Sequence, residues 1–231
     1  TVGKDRLYAV YLAKYDVIAS IAHAKMLKKV NILTSIEYKK IENELNKISE
    51  QINSKDFVIE KEFEDIHSKI ENMLIEKLGS IGKKIHTGRS RNDQVLVATQ
   101  LYLKNEINEI KKYCINLFNT FIQMAEENKN NFLPGYTHLQ VAMPSSFGLW
   151  FSSYAESLID DMLYLKTAYK INDQNPLGSA AGYGSSFNLD RDFTTSELGF
   201  SELKYNVISS QMNRGKVEKS VAIAISAIAS T

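Results

Sequence analysis

Gly88-Arg89-Ser90-Arg91-Asn92-Asp93-Gln94 is an unbroken polar run that ends where a long apolar-periodic segment begins. It sets two guanidinium forks, a hydroxyl and two amides beside backbone N–H groups that open a helix and lack an intrahelical partner, which suits a small polyanion. The plain alternative is that Ser90 or Asn92 caps the helix while the arginines stay in solvent. A second polar island, Pro134-Gly135-Tyr136-Thr137-His138-Leu139-Gln140, places a hydroxyl, an imidazole and an amide close together, again ahead of a long helix. A lone histidine is more often structural than catalytic, but a Thr-His pair on a turn bounded by Pro and Gly is exposed and stiff. Two such islands at helix ends suggest one composite site.

The elements that must position these groups read as helices throughout. Ile41, Leu45, Ile48 and Ile52 recur at helical spacing behind a capping box at Thr34 and Glu37. Phe63, Ile66, Ile70, Leu74 and Leu78 form a second stripe that Gly79 can terminate. Leu103, Ile107, Ile110, Cys114, Leu117, Phe121 and Ala125 form a third, and Phe147, Phe151, Tyr154, Leu158, Met162, Leu165 and Tyr169 a fourth. The last two predict helices of roughly 25–35 residues, longer than usual for a globular protein and typical of a packed bundle. No alternating strand pattern flanked by hairpin turns is apparent. The expected class is therefore all-α, a long-helix bundle, with an N-terminal helical domain over 1–87 and a bundle domain over 88–231. The final stripe, Val217, Val221, Ala224 and Ile228, reaches Thr231 without a stop signal, so the chain is expected to be cut inside a helix, with apolar faces left for missing sequence or partner subunits.

Composition removes several function classes. The 28 basic and 27 acidic side chains leave a net charge of +1, without the basic surplus of a nucleic-acid binder. No apolar stretch reaches transmembrane length, and a secretion signal is not evident at the N-terminus. The single cysteine, Cys114, lies on an apolar helix face, which makes it a buried structural thiol and fits a cytoplasmic setting. His23, His67, His86 and His138 have no partners at metal-ligand spacing, so no metal is expected. The glycine-rich segment from Gly178 to Ser186 lacks dinucleotide spacing and a Gly-Lys-Ser/Thr ending; it reads as a mobile interhelical loop rather than a phosphate cradle. In Glu64-Asp65-Ile66-His67, Ile66 faces the core, which turns Asp65 and His67 toward solvent or a partner.

These residues carry a family resemblance. His86-Thr87-Gly88-Arg89-Ser90-Arg91-Asn92-Asp93-Gln94-Val95 is similar to the signature of argininosuccinate lyases within the fumarase/aspartase superfamily. Tyr15-Asp16, Ser20 to Ala24, Glu64 to His67, Gly135 to Gln140, Asn175 to Ser179 and Asp190-Arg191 resemble the same family in the same order. The resemblance implies reversible elimination of argininosuccinate to arginine and fumarate, without a cofactor. It implies that Asn92 and Thr137 hold the succinyl carboxylates, with Ser90 and Arg91 as further donors, and Asp65, His67 and Gln140 beside the substrate. His138, directly or through Thr137 or water, would handle the proton at the leaving guanidinium nitrogen. Family members are about twice this length and form homotetramers with shared active sites. The base that the resemblance implies, a serine on a Gly-Ser-Ser-x-Met-Pro-x-Lys loop, has no counterpart here, nor does the glutamate that tunes the histidine. Residues 1–231 are therefore expected to be inactive alone. Sibling chemistry on adenylosuccinate or aspartate, and a non-catalytic scaffold of crystallin type, are the alternatives.

Overall fold

The computed structural model describes residues 8–54 and 57–231. In chain order these form α1 (Ala13–Lys29), α2 (Ser35–Ile52), α3 (Ile66–Leu78), the single turn α4 (Ser80–Lys83), α5 (Arg91–Glu127), β1 (Phe132–Thr137), β2 (Gln140–Ser146) and α6 (Phe147–Asn172). They are followed by β3 (Gln174–Asn175), α7 (Arg191–Glu197), β4 (Glu202–Leu203), α8 (Val207–Met212) and α9 (Lys216–Ser230). The expected mostly helical architecture is present, and the two long stripes become helices of 37 and 26 residues.

The backbone divides into two compact units, one of Thr1–Leu103 with Asn172–Lys216, the other of Lys104–Ile171 with Val217–Thr231. This grouping by contact differs from the division at 87/88 expected from sequence, because Val97 and Leu101 of α5 pack with Ala19 and Ala22 of α1. In the first unit, α2 begins as its sequence dictates: the Thr34 hydroxyl accepts from the Glu37 N–H, and the Glu37 carboxylate accepts from the Thr34 N–H. Its buried face, Ile41, Leu45 and Ile48, meets Ile66, Ile70 and Leu74 of α3 and Met26 and Leu27 of α1. Full burial of such side chains stabilises the fold by about 1.5–3 kcal/mol each. Helix α3 starts at Ile66 rather than at Phe63, because the Asp65 carboxylate accepts the Ser68 N–H at 2.7 Å and caps it there. Gly79 ends it at φ 58°, ψ −127°, outside the left-handed helical region and in a backbone conformation open chiefly to glycine.

In the second unit Ile107, Cys114, Ala155, Leu158, Leu165 and Ala168 are buried along α5 and α6. Beside them runs a groove of about 790 Å³ lined by Phe118, Met162, Leu163 and Tyr169 among others. Ile115, Leu117, Ile122, Ile159, Leu163 and Tyr164 are exposed. One expectation is corrected here. Residues 132–146 form an antiparallel β-hairpin, with Phe132 opposite Ser146 and Thr137 opposite Gln140. Almost all of it is exposed, so no face needed alternating apolar residues, and Pro134 and Pro144 sit inside the strands. The periodic signal on which strand recognition depends is therefore missing.

Candidate active site

The turn ahead of α5 is built from its own polar residues. The Ser90 hydroxyl accepts the Asn92 N–H at 3.2 Å, and the Asp93 carboxylate accepts the Ser90 N–H at 2.9 Å. Ser90 thus caps α5, as the plain alternative held, while its own O–H is still able to donate. Arg91 donates to Gln94 Oε1 at 2.6 Å and to Glu71 Oε2 at 2.9 Å, and its Nε lies 3.8 Å from Asp65 Oδ2. Two acids therefore neutralise this half-exposed guanidinium, and a substrate carboxylate would compete with them. The half-buried Asn92 carboxamide has no hydrogen-bond partner among the described residues. With the Ser90 O–H, it is left to bind something else, at the positive end of a 37-residue helix.

Beneath the turn lies a buried polar cluster. Arg89, which the capping alternative left in solvent, is only 7% exposed and donates to Ser20 Oγ at 2.9 Å. Its Nη2 lies 3.6 Å from Asp16 Oδ1, which also accepts from Gln94 Nε2 at 2.9 Å. His67, expected to face solvent or a partner, is corrected to a buried position: it is 2% exposed, with Nδ1 2.8 Å from the same Asp16 oxygen, at an angle short of a good hydrogen bond. The first turn of α3 points His67 inward because Asp16 offers a buried carboxylate that sequence periodicity does not register. Burial pushes the Asp16 carboxyl up, but His67, Arg89 and Gln94 together hold it below its usual range. The motifs Tyr15-Asp16 and Ser20 to Ala24 were visible in the sequence, yet nothing there assigned Asp16 to this cluster.

His23, also fully buried, contacts the Thr87 carbonyl oxygen through Nε2 at 3.1 Å. Burial, with the Arg89 charge adding to it, drops its pKa from 6.5 to about 3. A base whose folded pKa is depressed binds its proton preferentially in the unfolded chain. Stability from this group is therefore complete above pH 6.5 and lost as the pH falls from there toward 3, at up to about 1.4 kcal/mol per pH unit. Urea unfolding midpoints of the protein and of His23→Gln between pH 7 and 4 should show a shallower slope in the variant.

The glycine-rich segment is not a free loop. Gly178 and Ala180 both donate backbone N–H groups to Asp93 Oδ2 at 3.0 Å, and Ser179 is fully buried. Contrary to the mobile loop expected from sequence, two of its backbone N–H groups are taken up by the chain's own carboxylate.

Thr137, His138 and Gln140 come together at the tip of the hairpin, all exposed, in the second unit. His138 and Leu139 form its two-residue turn with φ 49° and 63°, a geometry that normally selects Asn-Gly. Two non-glycine residues held left-handed cost about 1–2 kcal/mol each, and such cost is concentrated at functional positions. Leu139 is 98% exposed, so Leu139→Asn should raise unfolding stability by about 0.5–1 kcal/mol, which chemical denaturation would measure. Asp65, Ser90, Arg91 and Asn92 are grouped in the first unit with His67 buried beside them.

The helical architecture has counterparts among solved structures. An EDDS lyase in complex with formate superposes with a TM-score of 0.87 at 24% identity, covering 96% of this chain and 43% of that one. A fumarate lyase:delta crystallin from Brucella melitensis gives 0.75 at 20% identity, covering 96% and 55%. A family profile described as lyase matches residues 3–230, and the chain belongs to that lyase family. An argininosuccinate lyase of Bacteroides fragilis is 53% identical over 231 residues, all of this chain and 52% of the relative. One of Thermotoga neapolitana is 45% identical over 218 residues, 94% of this chain and 55% of the relative. The chain spans about half the length of these curated relatives.

Proposed function

We propose that the full-length protein is an argininosuccinate lyase, releasing fumarate and arginine by elimination. The observation that carries this reading is 53% identity over all 231 residues to a relative of that name. A proton must leave the carbon next to a carboxylate, and the dianionic species that forms needs donors more than it needs a strong base. Asn92, with its uncommitted carboxamide, Thr137 and the Ser90 hydroxyl supply donors; Arg91 joins them if Glu71 and Asp65 release it. Gln140 stands beside Thr137 at the hairpin tip as a further substrate contact. His138 passes the proton to the leaving guanidinium nitrogen. Asp65 and His67 act on the substrate indirectly, the first through Arg91 and the second through the Asp16 cluster.

The same reading makes the protein a cytoplasmic homotetramer with active sites shared between subunits. Exposed Ile115, Leu117, Ile159 and Leu163 on α5 and α6 are the apolar surface such an assembly would cover. It needs no metal or cofactor, since the donors and a proton carrier supply the chemistry. Residues 1–231 alone should be inactive, because the family's serine loop is not among them. The test is fumarate release, followed by ultraviolet absorbance, from argininosuccinate, adenylosuccinate and aspartate, using the full-length protein and residues 1–231. Turnover of argininosuccinate alone by the full-length protein supports the reading. Turnover of another substrate reassigns it within the family, and none at all leaves the scaffold alternative.

A further inference from the structure

Asp93 has no part in the chemistry just outlined, yet it is fully buried and uses both oxygens. Oδ1 takes the Ser90 N–H; Oδ2 takes two N–H groups from a loop more than eighty residues away in sequence. That loop is itself clamped. Gln211 donates to Ser179 Oγ at 3.0 Å and to the Ala180 carbonyl at 3.1 Å. Gly178, at φ 84°, lies so near Arg191 that an added Cβ would meet its Cγ at 2.8 Å. A helix start does not require this, since Ser90 already caps α5, and a buried carboxylate without a contacting cation is costly unless its position matters. Arg89 and Arg191 lie near enough to act on Asp93 through space. The result is a turn in which Arg89, Arg91, Asp93 and Gln94 are each engaged by protein partners, and the Asn92 carboxamide and the Ser90 O–H are left to face a ligand.

We propose that Asp93 is a positioning residue: by joining the Ser90–Asn92 turn to the glycine-rich loop, it fixes the Asn92 carboxamide and the Ser90 hydroxyl where a dicarboxylate is bound. The proposal rests on the reading of these two side chains as carboxylate donors. The neutral amide of Asp93→Asn would turn an N–H toward donors on one side or the other, so the turn and the loop separate. Misplacement of about 1 Å at such a site costs about 10²-fold in rate.

The test uses the full-length protein with Asp93→Asn, and compares product inhibition by fumarate with product inhibition by arginine. The expected result is a kcat lowered by about 10²-fold and a fumarate inhibition constant raised about tenfold or more, with the arginine constant within about twofold. A merely structural role would move both constants together; that outcome, or no change in either, overturns the proposal. Should Asp93→Asn not fold, Gln211→Ala loosens the same loop from its far side and should raise the fumarate constant about threefold with an unchanged thermal midpoint; an unchanged constant overturns it. If the wild-type protein turns over no argininosuccinate, calorimetric titration with fumarate decides separately. Binding that is lost in Asp93→Asn sustains the positioning role while the substrate assignment falls, and equal binding, or none to wild type, removes both.

Discussion

His138→Ala in the full-length protein should lower fumarate release from argininosuccinate by about 10²–10⁴-fold, with little change in thermal stability. The size follows from the loss of a positioned proton carrier. The small structural cost follows from the location, an exposed hairpin tip whose turn holds His138 at φ 49°. Alanine in that conformation is strained to a similar degree, so stability neither gains nor loses much. His138→Asn separates the two contributions. It suits the left-handed backbone better and should stabilise the hairpin, while turnover stays as low as in the alanine variant. A His138→Asn protein that keeps wild-type kcat would remove the histidine from the mechanism.

Asp16→Ala should destabilise the first unit by about 3–5 kcal/mol, enough to unfold a marginal domain. The carboxylate is fully buried among His67, Gln94 and Arg89, and among the described residues the Arg89 guanidinium would be left inside the protein with only Ser20 as its hydrogen-bonded partner. Removing the acid therefore costs the pair interaction and also exposes the desolvation of the cation it compensated. The double variant Asp16→Ala/Arg89→Met should recover part of the loss, since the unpaired charge is gone. Denaturant unfolding of the single and double variants measures this, and equal instability in both would mean that Arg89 is not compensated by Asp16.

Much of the architecture could be read from the sequence because it rests on local rules. The capping box at Thr34, the stripe Ile41-Leu45-Ile48 and the glycine stop after Leu78 each depend on residues within one or two helical turns. The candidate site was readable as two polar islands for the same reason. What escaped notice is non-local or without period. The inward turn of His67 depends on Asp16, about fifty residues earlier, and the occupation of the glycine-rich loop depends on Asp93. The hairpin was missed because its strands bury no face and its turn carries His-Leu where Asn-Gly would have announced it.

The Asp93 carboxylate also bears on how the molecule breathes. Amide hydrogens exchange with solvent when their bonds open locally, and regular structure is ordinarily the slow fraction. Here the ranking should invert in part. The N–H groups of Gly178 and Ala180 lie in a loop, yet both are held by one buried anion, so they should persist as long as the helices around them. The two-stranded hairpin, paired across a register shift between Gly135 and Tyr136 and almost wholly wetted, should take up deuterium within the first moments of labelling.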